Sequence, residues 1–464
     1  IEYNCGPATV VPLPPKGVWL RVPMSLIPES PAHVQPFHHP QRKEEVDLGA
    51  VVDWLHAHVT ESLCEAVFQE HRAKEREREW SLHAMVQFWM AVTARAPEAL
   101  TELLDECRTG DDVLLPKITA TSEAFFSKAK TFKWSFFFEL FKRLMPRLIK
   151  DASCVYASQV QQLREHFAEV WVMDGSQLDA VTRRMKILRH IRAAVLPGRV
   201  FAFYDLFRGV CCHLRFEPDA ARNENLLATE ALEGVPENVL VVGDRLFGVI
   251  KHFVTLTARK SWGVFRRNAT VNVKILRTLS RRQGGGRSYL EDLLVEVGAG
   301  EKKITLRLIR YGDGKRTLEV LTNVLDVKKL PPETVVVLYG LRWSIERMFY
   351  DLKIILKLNR FYACNPNAIA AQFYAATMVY NGFRIMQARI AQKHGIRPES
   401  LSPAKLYPRL IEACISMLKH HAACRKIIKA NPGVKLRQPE HTVLATLETL
   451  LVQKKTAPRT KGRP

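Results

Sequence analysis

The spacing of apolar and polar positions changes along the chain and divides it into regions. From Glu45 to about Val160 the apolar residues recur with a helical period. Helices are predicted at 51–70, 80–94 and 97–107, with a strongly apolar and basic stretch from Phe125 to Leu148. At Val170 the period shortens. Val170-Trp-Val-Met173 is an apolar run of strand length stopped by Asp174-Gly-Ser, and Arg199 to Asp205 with Gly209 to Phe216 reads as a hairpin. A helix at 221–232, a second apolar strand at 239–242 stopped by Gly243-Asp244, and a helix at 247–256 follow. Strand, hairpin, helix, strand, helix is the order of an α/β core. Segments 293–297, 303–310 and 317–321 then alternate like strands, with Gly312-Asp-Gly314 as a tight turn, so a β-rich insertion is predicted. Residues 368–430 are again helical in period.

The segment from Tyr339 to Lys353 carries candidate chemistry. In a single helix, at about 100° per residue, Tyr339, Arg342, Glu346 and Lys353 fall within roughly a 60° arc. Leu341, Ile345, Met348 and Leu352 lie opposite. Such a helix buries one face and offers a carboxylate flanked by cations on the other, an arrangement that suits a metal ion beside a phosphate. By themselves these residues equally suit a solvated face with intrahelical ion pairs. Asp174 and Asp244 each end a strand, where Asp is a common turn former. If the two strands are adjacent and parallel, the aspartates become neighbours at the sheet end where α/β sites collect.

Composition narrows the partners. The chain has 464 residues, 47% of them apolar, which excludes a disordered protein and leaves room for two or three domains. Its 69 Lys and Arg against 47 Asp and Glu give a net charge of +22, which points to nucleic acid. Between Lys251 and Leu290 there are ten basic residues and no acidic one. A membrane partner is disfavoured, because the best apolar run, Ala368 to Met386, is interrupted by Gln372, Asn381 and Arg384. No signal peptide pattern is present. Nine scattered cysteines point to free thiols in a reducing cytoplasm. Cys414, His420, His421 and Cys424 lack paired zinc-ligand spacing.

Asp174 in VWVMDGS, Asp244 in VLVVGDRLFG and the Y-x2-R-x3-E-x6-K pattern from Tyr339 to Lys353 resemble the DDE transposases of bacterial insertion sequences, in the group with the Y-R-E-K signature. The resemblance covers about 170–358. Its carboxylate spacings are 244 − 174 = 70 and 346 − 244 = 102. It implies an α/β fold with a ribonuclease H-like core at 166–365, interrupted by the β-rich insertion at about 270–332. Flanking this core are a loose leader (1–45), an N-terminal helical region (46–165) that is a candidate for DNA contact, a C-terminal helical region (366–450) and a basic tail (451–464).

The resemblance further implies that Asp174, Asp244 and Glu346 bind two Mg²⁺ ions, with Mn²⁺ able to substitute. It implies cut-and-paste transposition: cleavage of transposon ends and joining to target DNA by two-metal phosphoryl transfer. Tyr339, Arg342 and Lys353 would hold phosphates, with Arg245, Arg266 and Arg267 as further DNA contacts and Trp262 as a base-stacking candidate. The partners would be double-stranded DNA, as terminal inverted repeats and target, and a second copy of the chain on paired ends, in the bacterial cytoplasm at the nucleoid. Relatives of this group usually follow the second Asp with Arg-Gly-aromatic, whereas this chain has Arg245-Leu246-Phe247. Two alternatives stand beside this reading: a non-catalytic DNA-binding protein derived from a transposase, and a ribonuclease H-like nuclease.

Overall fold

The computed structural model describes residues 58–110, 115–177, 198–284, 288–300, 303–314, 316–358, 360–363 and 365–412. The leader, the basic tail and the Cys414 to Cys424 cluster lie outside them. Five helices open the described chain: α1 (Glu61–His71), α2 (Leu82–Arg95), α3 (Leu100–Thr109), α4 (Ser122–Thr131) and α5 (Trp134–Asp151). The apolar stretch from Phe125 to Leu148 is divided between α4 and α5. Phe132 leaves the helical region at φ −74°, ψ 113° and buries its ring against Phe68 and Phe136. Tertiary packing overrides the local period there.

A single nine-stranded sheet follows. Its strands are β1 (Glu169–Gln177), β2 (Arg199–Asp205), β3 (Val210–Glu217), β4 (Val239–Gly243), β5 (Trp262–Arg266), β6 (Val273–Gln283), β7 (Ser288–Val297), β8 (Ile304–Asp313) and β9 (Thr317–Thr322). The spatial order is β3-β2-β1-β4-β5-β9-β8-β7-β6. Strands β1, β4 and β5 run parallel, and on the other side β2 is antiparallel to both β1 and β3. The order 3-2-1-4-5 with β2 reversed is the ribonuclease H-like arrangement. The inserted strands β6 to β9 extend this core sheet through the β5–β9 pairing.

Two helical layers cover the core of the sheet. Helices α6 (Glu224–Leu232) and α7 (Ile250–Ala258) place Leu227, Leu232, Phe253 and Leu256 against Trp171, Met173 and Val241. On the opposite face, Val170, Val172, Leu240 and Val242 join a larger core with α5, α8 (Pro332–Gly340), α9 (Trp343–Tyr350) and α10 (Pro366–Lys393). Residues 170 and 172 alternate with 171 and 173 between the two cores, as the period of two demands. Gln372, Asn381 and Arg384, which interrupt the apolar run of α10, are buried and hydrogen-bonded. Among the described residues no helix is long and apolar enough to cross a membrane.

Two buried arginines fix the layers. Arg307 on β8 makes a bidentate pair with Asp292 on β7, at 2.5 and 3.1 Å, and donates to the carbonyls of Val324 and Leu330 on the way into α8. Arg384 on α10 donates to Gly209 O in the β2–β3 turn at 2.8 Å and to Tyr204 Oη at 2.9 Å. It also lies 4.1 Å from the centre of the Tyr156 ring. Gly209 has φ +69°, and a Cβ there would come within 2.6 Å of that ring.

Truncating one partner of a fully buried pair leaves an uncompensated charge. Arg307→Ala is therefore expected to cost about 3–5 kcal/mol in urea unfolding. Glu237→Ala, at an exposed pair with Lys260, should cost no more than about 1 kcal/mol.

Candidate active site

The parallel register of β1 and β4 sets the first two carboxylates. Val172 pairs with Val242, so Asp174 and Asp244 each stand two residues further on, side by side. They share the parity of Val172 and Val242 and so project toward the α8–α9 face. Strand β1 does not end at Asp174 as its sequence predicts. It continues to Gln177 because β2 pairs along its full length, Asp174 with Ala202 and Gln177 with Arg199. Pairing to β4 stops at Val172 and Val242. The far end of β1 thus has a free flank beside Asp244.

The Tyr339 to Lys353 segment is not one helix. Helix α8 ends at Gly340 and α9 begins at Trp343, with Leu341 and Arg342 bridging them through short-range bonds to Leu338 and Tyr339. After Tyr350 the coil widens to a π turn over Asp351–Ile355. A uniform helical wheel therefore does not describe these side chains, although the structure still brings all four to the end of β1 and β4. Tyr339 donates to Asp244 Oδ1 at 3.2 Å. Arg342 donates from Nη1 to Glu346 Oε1 at 2.7 Å. Lys353 donates to Ser176 Oγ on β1 at 2.7 Å.

Burial gives these contacts weight. Burial pushes the Asp174 carboxyl up to about 7; nearby Glu224 and Glu346 add to this, while the Gly175 amide and Arg342 oppose it. Burial and Asp244 together push the Tyr339 phenol up to about 12. Arg342 is buried, and the surrounding Tyr339, Asp244 and Glu346 outweigh the desolvation that would lower its pKa. Its guanidinium lies 4.8 Å from the ring of exposed Trp343, and its Nε is buried with no hydrogen-bond partner among the described residues.

The other sequence candidates divide. Arg266, exposed at the end of β5, contributes to the field at Tyr339. Arg245 is exposed directly after Asp244. Arg267 is tied to Glu319 at 2.7 Å and to Val271 O at 2.8 Å. Trp262 pairs with Leu240, at the end of β5 away from Asp244, and packs edge-on against Phe167 at 5.2 Å. Leu246 sits in a 3-10 turn with its side chain 39% exposed and is not among the positive-φ residues, so the turn tolerates a side chain there. Sequence reasoning missed Ser176 and Glu224. Glu224 stands in the first turn of α6, where Asn223-Glu224 reads simply as a helix start.

A family described as "Transposase DDE domain" matches residues 194–381. Over that stretch the chain is similar to a transposase DDE domain. The matched stretch contains Asp244, Tyr339, Arg342, Glu346 and Lys353, while Asp174 precedes it. "Putative transposase y4zB" of Sinorhizobium fredii is 25% identical over 237 residues, covering 47% of this chain and 67% of that protein. "Putative transposase for insertion sequence element IS4SA" of a Synechocystis species is 26% identical over 227 residues, covering 48% of this chain and 62% of that protein. A cryo-EM structure of the piggyBac transposase synaptic complex with hairpin DNA aligns over 90% of both chains, with 12% identity and a TM-score of 0.37.

A carboxyl whose folded pKa exceeds its unfolded value binds more protons in the native state, so stability falls as pH rises between the two values. Without divalent ions, Asp174 should lower stability progressively as pH rises from its ordinary pKa of 3.8 toward about 7. The Asp174→Asn variant should therefore gain melting temperature over the unmodified chain at pH 8 and lose that advantage near pH 4, as followed by circular dichroism.

Proposed function

We propose that this chain is an insertion-sequence transposase that cuts its element's ends and joins them to target DNA. The observation that carries the reading is the convergence of Asp174, Asp244 and the α8–α9 segment at one end of adjacent parallel strands. Asp174, Asp244 and Glu346 would hold two Mg²⁺ ions, with Mn²⁺ as substitute. All three offer the hard oxygen ligands such ions take. Bound there, the ions would activate the attacking oxygen and stabilise the leaving one.

Among the described residues no three acidic, histidine or cysteine side chains are already gathered as an ion-binding group. The contacts account for this, since Asp244 is engaged by Tyr339 and Glu346 by Arg342. Tyr339 and Arg342 are the same groups that would clamp DNA phosphates. When phosphate oxygens take these donors, the two carboxylates are released toward Asp174. Arg342 suits the exchange, because its planar fork can grip two phosphate oxygens and its Nε lacks a partner among the described residues. Lys353, anchored at Ser176, supplies a point charge on the same face. Arg245 and Arg266 would extend the cationic rim, with Arg267 and Trp262 further from the acids. A second copy would hold the other transposon end.

With purified protein, Mg²⁺ and DNA carrying the element's own terminal repeats, cut ends should appear and then be joined to a target plasmid. Asp174→Ala should reduce cleavage at least a thousandfold in a gel assay while end binding persists; normal cleavage by that variant would overturn the catalytic assignment. Exchange of partners also makes phosphate and metal binding mutually favourable. Calorimetry should show Mn²⁺ binding at least about fivefold tighter with end DNA present, and this gain should vanish in Arg342→Ala.

A further inference from the structure

We propose that Asp351 is a positioning residue for Lys353: its buried carboxylate, set against Arg384 of α10, holds the π turn in the form that delivers the lysine ammonium to the end of β1. The inference rests on the reading of Lys353 as a phosphate clamp and adds to it a residue that touches neither DNA nor metal.

The chain leaves regular helical pitch at Asp351. Its carbonyl accepts from Leu356 N, five residues on, at 3.0 Å, and the Leu352 carbonyl accepts from Leu358 N at 3.0 Å. Such wide turns are rare and persist where surrounding contacts over-determine them. Here the fixed points lie on either side of Lys353. Leu352 and Leu356 are buried, Ile354 is 51% exposed, and Lys353 Nζ meets Ser176 Oγ at 2.7 Å. Asp351 is only 1% exposed, and its Oδ2 is buried with no hydrogen-bond partner among the described residues. A carboxylate in that place costs free energy unless opposite charge compensates it.

The compensating charges come from the neighbouring helices. Burial pushes the Asp351 carboxyl up to about 6, and Arg384 on α10 and Arg347 on α9 oppose the rise, so it is charged at neutral pH. Arg384 donates to Gly209 O, to Gln387 Oε1 at 2.8 Å and to Tyr204 Oη, all neutral acceptors. A buried guanidinium bonded to neutral groups and a buried carboxylate with an idle oxygen thus offer opposite charge to one another. Tyr204, Tyr380 and Tyr407 lie in the field of both. Because Arg384 is fixed to the β2–β3 turn, the attraction draws the start of the π turn toward α10. Residues two apart on a helix do not share a face, so holding Asp351 there turns Lys353 away from α10 and toward β1.

A double-mutant cycle over a salt series tests this, with DNA carrying the element's own terminal repeats as the probe. Lys353→Ala should weaken end binding and lower the salt slope by about one. Asp351→Asn keeps the side chain's shape and removes its charge. Loss of a negative charge by itself favours binding to phosphates, yet this variant should lose the same slope, and the double variant should bind no more weakly than Lys353→Ala. Without DNA, amide hydrogen exchange over 351–358 should be about tenfold faster in Asp351→Asn and unchanged in Lys353→Ala. Circular dichroism checks folding, and Asp351→Ser, tested alongside, serves if the amide is not tolerated. Additive losses in the double variant, or a full salt slope in Asp351→Asn, overturn the proposal. If Lys353→Ala keeps the full slope, the phosphate-clamp reading fails instead, and unchanged exchange over 351–358 in Asp351→Asn then overturns the proposal separately.

Discussion

The parallel register between β1 and β4 is the constraint on which the site depends. Val172 opposite Val242 puts two aspartates, 70 residues apart in sequence (244 − 174), at one level and on one face. A slip of one residue would turn one of them into the opposite core, among Trp171, Met173 and Val241. Register is enforced by apolar side chains buried on both faces of the two strands, so the chemistry at the strand ends is specified by packing below it. The same packing explains why Asp174 is hard to ionise: the layers that fix its position also remove its water.

The α8–α9 segment is held in place from two sides. Arg307 and Asp292 anchor the chain entering α8, and Arg384 ties α10 to the β2–β3 turn beneath the π turn. These buried charges lie away from the three acids yet set where Tyr339, Glu346 and Lys353 emerge. The segment itself is broken twice, at Leu341-Arg342 and at Asp351–Ile355. Arg342 stands at the first break, one turn before Glu346, and Lys353 lies within the second, from which it reaches Ser176.

Much of this was legible in the sequence, for identifiable reasons. The apolar runs at 170–173 and 239–242 and the hairpin at 199–216 are buried strands bounded by turn residues, and their order names the core. Strands β5 and β6 were not legible. Residues 262–266 are short and follow a helix without a break, and β6 is an exposed edge strand dominated by Lys and Arg, where no buried face imposes alternation. The single-helix drawing of 339–353 failed because Gly340, a helix-ending residue, was read through, and because the π turn contains no Pro or Gly to signal it. Its four polar residues nevertheless belong together, because the chain bends around one site. Glu224 could not be singled out, since its place beside Asp174 depends on a glycine on a different element. The Asp-Gly pair at 174–175 was visible, but only as a turn.

The continuity of the sheet has a metric consequence. From β4, which leads into Asp244, to the basic edge strand β6 there are five strand-to-strand steps: β5, β9, β8, β7 and β6. At about 4.8 Å each this is a span of about 24 Å, close to the length of seven base pairs at 3.4 Å per pair. Because the strands share one hydrogen-bonded lattice, that separation cannot vary as it would across a linker. The sheet therefore keeps its basic edge at a set distance from the strand that leads into Asp244.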